Sequence, residues 1–106
     1  MTVVHTVLLV SHDVAWTLEL AVAWARAGDG VTVVLCDQAA AGARAGHPGA
    51  AELAAAGAAG VVMRVHDEAL AARGIGDDAL HDAVKPVDLD EVADLLVDVA
   101  DRAVWL

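Results

Sequence analysis

Four short runs of apolar, mostly β-branched residues, each followed by a stop signal and a helix-forming stretch, constrain this chain more than any other feature. Val3 to Val10, Val31 to Cys36, Val61 to Val65 and Val84 to Val87 read as strands. The first is broken only by His5 and Thr6, which suits a strand buried on both faces. From Val14 to Ala27 the apolar positions Leu18, Ala21, Val22 and Ala25 recur at helical spacing, with Ser11 or Asp13 as the cap and Gly28 as a left-handed stop.

Ala39 to Arg44 and Ala50 to Ala56 are alanine-rich and helix-forming, and Pro48 forbids one helix across both. His66 to Ile75 reads as a short helix with an acidic first turn, and Gly76 to Ala83 as a loop or a single turn. Pro86 moves the fourth run toward a sheet edge. Asp88 or Asp90 caps a last helix over Glu91 to Ala100, and Ala103 to Leu106 adds a closing strand. The alternation predicts an α/β fold: one domain over residues 1–106, a three-layer α/β/α sandwich around a mainly parallel sheet of four to five strands.

Charge and composition narrow the function classes. Six basic and sixteen acidic residues leave a net charge of −10, so the chain has no electrostatic footprint for phosphate backbones or anionic membranes. A basic protein partner suits it better. Every apolar run is interrupted by a charge or glycine well short of a membrane span, and "MTVVHTVLLVSHD" lacks the basic start and cleavage site of a signal peptide. These features, with a single cysteine that has no internal disulfide partner, lead to the expectation of a cytoplasmic protein. The only aromatic residues are Trp16, Trp24 and Trp105; a core without Phe or Tyr leaves apolar surface uncovered, which argues for self-association. Trp16 and Trp24, eight apart on one helix, fit packing better than ligand stacking.

Ligands of open parallel sheets bind beyond the carboxyl ends of the strands. Three chemically capable side chains fall there: His12 after the first strand, Cys36 at the end of the second and His66 after the third, with Asp13, Asp37 and Asp67 one residue further on. A neighbouring imidazolium or helix N-terminus lowers a cysteine pKa and yields a nucleophilic thiolate. One sulfur, two imidazoles and a carboxylate also resemble a zinc shell, although no Cys-x-x-Cys pair supports it. Against both stands plain packing: a cysteine ending a buried strand serves equally well as a small hydrophobe, His12 as a solvated turn residue and His66 as a helix opener.

Other motifs carry less. His5, His47 and His81 have no chemical context. "SHD" at 11 to 13 is no triad, because adjacent turn residues cannot converge on one another. "GDDALHD" lacks the ligand order of a calcium loop, and "AGDGVT" precedes a strand where a dinucleotide fingerprint follows one. No cofactor and no resident metal is expected.

"VVMRVHDEALAARGI", residues 61 to 75, resembles a strand and D-x-x-x-A-R-G helix of the DsrE/DsrF/DsrH-like sulfur-relay family. "AGDGVTVVLCD" is similar to a second segment of the small DsrH, or TusB, subunit, and "VDLDEVADLLVDVADRAVWL" to its capped final helix and tryptophan-bearing last strand. With "HTVLLV" the likeness covers most of the chain. It implies a compact α/β fold, passage of persulfide sulfur between cysteines toward tRNA thiolation or sulfur oxidation, and dimers or hetero-oligomers with DsrE- and DsrF-like subunits.

The chain departs from that pattern at its chemistry. The first helix carries no cysteine, and Gln38 replaces the glycine that usually follows the strand-end aspartate. Cys36 as a sulfur carrier therefore follows from its rim position and its being single. The expectation is a cytoplasmic DsrH-type relay subunit with Cys36, His12 and His66 as site residues, a sulfur donor or acceptor protein as partner, and no direct nucleic acid or membrane contact. The rival expectations are a non-catalytic assembly subunit with an inert cysteine, and a small-molecule or metal-binding module on the same rim.

Overall fold

Side chains alternate across a strand, so runs apolar at every position need cover on both faces. The computed structural model, which describes residues 3–106, meets that need with one parallel sheet and helices on each side. The elements run β1 (His5–Val10), α1 (Val14–Arg26), β2 (Gly30–Leu35), α2 (Ala50–Ala58), β3 (Val62–His66), α3 (Asp67–Ala72), β4 (Val84–Val87), α4 (Leu89–Asp94) and β5 (Arg102–Trp105). The strand order is β4-β3-β2-β1-β5, every neighbouring pair is parallel, and β4 with Pro86 is an edge as expected.

The two faces are unequal. Leu8 and Val10 of β1, Val31, Val33 and Leu35 of β2, and Met63 and Val65 of β3 point to the side of α1, α2 and α3. They pack there against Leu18, Ala21, Leu53, Ala56 and Leu70. Buried alanines 39, 40 and 43 let the chain approach closely, which substitutes for the absent Phe and Tyr. The opposite face holds a smaller core of Val7, Leu9, Val34 and Val87, covered by Val92, Leu95 and Leu96 of α4 and the turn after it. β1 to β4 advance stepwise with their helices on the first side, and the return from β4 to β5 crosses the second.

Local signals act where expected, with two differences. Asp13 caps α1, its carboxylate accepting from Trp16 N at 3.2 Å, and Gly28 closes the helix at a φ of 105°, a value that favours glycine. Asp88 and Glu91 form a reciprocal capping box at the start of α4. The stretch expected as a helix over Ala39 to Arg44 is instead a tighter 3₁₀ segment, Asp37–Ala43, beginning with the Ala39 N to Cys36 O bond at 2.9 Å. The last helix is α-helical only to Asp94. It then widens into a π turn over Leu95–Val99, in which Ala100 N reaches Leu95 O at 2.9 Å, and both Leu95 and Leu96 reach the sheet.

Candidate functional site

Strand parity and register decide which rim residues meet. Leu35 pairs with Val65, His66 with Val87 and Leu9 with Trp105. Cys36 therefore follows Val34 onto the α4 face, where Leu9, His66 and Trp105 also point. The chain leaving β3 turns into α3 on one face while that leaving β4 turns into α4 on the other, and the divergence leaves a crevice above the carboxyl ends of the strands. Leu9, Cys36, Asp37, His66, Leu89, Val92, Leu96 and Trp105 line it, enclosing about 280 Å³.

Cys36 is half-buried in this pocket. Its amide donates to Val10 O at 2.8 Å, and its thiol lies 3.7 Å from Val34 O. Burial first, and the Asp37 carboxylate second, push the thiol pKa up from its ordinary value of 9.0. The lowering anticipated from an imidazolium or a helix end is thus not what these surroundings produce. Two features oppose it: the apolar lining disfavours a bare thiolate, and the nearest fixed charge is negative.

Asp37 itself sits in the left-handed region, with a φ of 49°, a conformation that side-chain-bearing residues seldom adopt. Trp105 Nε1 donates to Ser11 Oγ at 3.0 Å, and Ser11 Oγ lies 3.5 Å from Asp37 Oδ2, so a short polar chain ties the last strand to the turn after Cys36. Leu106 N to Leu9 O at 2.7 Å and Ser11 N to Leu106 O at 3.0 Å hold the same corner through the backbone. His66 ends β3. Its Nε2 is buried without a hydrogen-bond partner, and Asp67 Oδ1 stands 3.9 Å away. A buried polar atom left without a hydrogen bond costs free energy, and no described side chain supplies this nitrogen with one.

The structure separates the third candidate. His12 lies past Ser11 in the turn to α1 and lines a different cleft, with Asp13, Gln38, Gly42 and His47. Cys36 and His66 share a pocket and His12 does not. No three His, Cys, Asp or Glu side chains cluster as a metal-ligand set among the described residues. Trp16 and Trp24 also part company: Trp16 is exposed, while Trp24 lies under the Arg102 guanidinium at 4.7 Å. Trp105 is the pocket residue that local sequence patterns do not point to. Its place depends on β5 returning beside β1, and a terminal tryptophan is the only local sign of it.

No family model and no curated protein matches the chain. Solved structures do. The YchN protein from E. coli is similar over 99% of this chain and 100% of its own, with a TM-score of 0.81 at 21% sequence identity. MTH1491, a protein of unknown function from Methanobacterium thermoautotrophicum, is similar over 97% of this chain and 99% of its own, with a TM-score of 0.79 at 14% identity. The chain shares the fold of these two structures. At these identities the likeness is one of architecture, and the chemistry is argued from the pocket alone. No helix of the described residues is long and apolar enough to cross a membrane.

Proposed function

We propose that this chain is a sulfur-relay subunit of the DsrH type, in which Cys36 accepts and passes on a sulfane sulfur. The observation that carries the reading is the shared pocket: the sole cysteine and an imidazole with a buried Nε2 that has no hydrogen-bond partner stand together beyond the carboxyl ends of the parallel sheet. His66 takes the proton from the Cys36 thiol as the sulfur attacks the outer sulfur of a donor persulfide. The new bond is Cys36 S–S; the donor's S–S bond breaks, and its thiolate leaves carrying the electron pair. The sulfur gained is passed to an acceptor thiol by the same exchange. Because the thiol pKa is raised, a base in the pocket is what makes such an attack efficient near neutral pH. His12 has no part in this step, since it lies in another cleft.

The chain works in this reading within a homo-oligomer or beside DsrE- and DsrF-like subunits, in the cytoplasm, with tRNA thiolation or sulfur oxidation as the downstream use. Exposed Val97, Leu89 and Trp105 on the α4 side support assembly. The same exposed residues favour a second reading, an assembly subunit whose cysteine is inert. Intact mass of the native protein after incubation with an organic persulfide separates the two. A reducible gain of one sulfur in the parent chain, absent in Cys36→Ser and slowed in His66→Gln, is expected for the carrier. No gain in the parent chain leaves only the assembly role.

A further inference from the structure

The Cys36 pocket has a charge and a shape that select what enters it. Its walls are apolar, from Leu9, Val92 and Leu96, and its rim carries Leu89 and Trp105, which are 68% and 71% exposed and have no cover in the chain. A rim leucine and a rim tryptophan that face solvent across a concave apolar site are the kind of anchors that bind a partner's side chain. The only fixed charge in the lining is Asp37, and neither ion pair among the described residues involves it. Asp67, beside His66, is negative as well, and the whole chain carries −10. Anions approaching Cys36 meet repulsion at every range, while cations are drawn in.

From this complementarity we infer that the pocket receives a basic–apolar segment of a partner protein, an apolar side chain seating between Leu89, Leu96 and Trp105 while an adjacent Lys or Arg pairs with Asp37. The inference rests on the relay reading only for the identity of that partner as sulfur donor or acceptor. Small anionic sulfur compounds are poor visitors to the same site. The segment that fits presents its own sulfur next to a cation and a hydrophobe. Its cation, set against Asp37, also removes part of the repulsion that keeps Cys36 protonated, so docking and activation are one event.

The test is thiol–disulfide exchange between the native protein and short capped peptides presented as mixed disulfides of a small thiol. Three peptides are compared: Lys-Leu-Cys, Glu-Leu-Cys and Lys-Ser-Cys. In the exchange the Cys36 thiolate attacks the peptide sulfur, a Cys36–peptide disulfide forms, and the small thiolate leaves. Occupancy is read by intact mass at mildly alkaline pH, which favours the attacking thiolate. The chain unfolded in concentrated urea supplies the intrinsic preference.

Relative to that control, Lys-Leu-Cys is expected to exceed Glu-Leu-Cys by about tenfold, the effect of reversing one charge a few ångströms from a carboxylate in a watery site. Added salt is expected to shrink the ratio. Asp37→Asn is expected to erase the charge preference, and Leu89→Ser the preference for leucine over serine, each leaving the other intact. Equal occupancy by all three peptides in the native chain overturns the inference, as does a Cys36 that exchanges with none of them until the protein unfolds. A protein that shows these preferences yet gains no sulfur from a persulfide keeps the docking site and loses the relay. One that gains sulfur without any preference does the reverse.

Discussion

The two faces of the sheet have been built to different standards. On the α1–α2–α3 side, Leu8, Val33, Leu35 and Val65 are fully buried under three helices and a 3₁₀ segment. On the other, six helical residues and one π turn cover Val7, Leu9 and Val34, and Leu95, Leu96 and Cys36 remain half-buried. The first face stabilises the molecule. The second leaves strand ends uncovered, and there the thiol, the unpaired imidazole nitrogen and the exposed tryptophan collect. Thin cover over a rigid sheet gives a site that is held in place and still open to a partner.

Because the two faces are covered so unequally, equal truncations on them are expected to differ in cost. Leu8→Ala, at a site with no exposure, is expected to lower unfolding free energy by about 3 kcal/mol. Leu96→Ala, already half in solvent beside the pocket, is expected to cost about 1 kcal/mol and to speed alkylation of Cys36. Urea unfolding of the two variants decides it. Equal losses would mean that α4 seals its face as firmly as the other helices seal theirs.

A gentler way to loosen the thin face is at its cap. Asp88 Oδ1 accepts from Glu91 N at 2.8 Å, and Asp88 N donates to Glu91 Oε1 at 3.2 Å. Asp88→Ala is expected to cost about 1 kcal/mol. If fraying of α4 is the motion that admits reagents to Cys36, the same change raises the native alkylation rate by about fivefold. The cap of α1 is a control: Asp13→Ala is expected to cost a similar amount while leaving that rate unchanged, because α1 packs on the other face.

The contrast between faces also explains what was readable in the sequence. β-branched runs, the Pro86 edge, the Gly28 stop and the caps at Asp13 and Asp88 are local features with local causes, and each sits where its pattern places it. What the pattern hides is parity. In strands apolar at every position nothing marks which side a residue faces, so His12, Cys36 and His66 look equivalent at three strand ends. Only the register carries Cys36 and His66 to one face and leaves His12 in the turn to the other. Trp105 is harder still, because its place depends on a crossover from one sheet edge to the far side of β1. The π turn at Leu95 has no signature either, since Leu-Leu-Val continues a helix as readily as it widens one.

At the mouth of the thin face, the bond from Trp105 Nε1 to Ser11 Oγ tests how much the last strand matters. Trp105→Phe keeps a ring over the pocket and removes the donor, for an expected loss of about 0.5 kcal/mol. If the polar chain through Ser11 positions Asp37, the variant also changes the pH profile of Cys36 alkylation, which a purely structural bond would leave alone.

The smallest expected effect is a slope. The folded protein holds the Cys36 proton more tightly than the unfolded chain does, because burial and then Asp37 raise the thiol pKa above its ordinary 9.0. The stability this contributes is complete below the unfolded value. As pH rises past it the unfolded chain releases its proton first, and the contribution is lost by the time the folded thiol titrates. Stability therefore declines on the alkaline side of pH 9, and Cys36→Ala removes that part of the decline. Asp37→Asn lessens it, since it deletes the second cause and leaves burial. Denaturant midpoints across mildly to strongly alkaline pH measure all three chains. A decline of the same steepness in Cys36→Ala would assign it to other groups and place the thiol in surroundings no different from water, which a pocket walled by Leu9, Val92 and Leu96 does not allow.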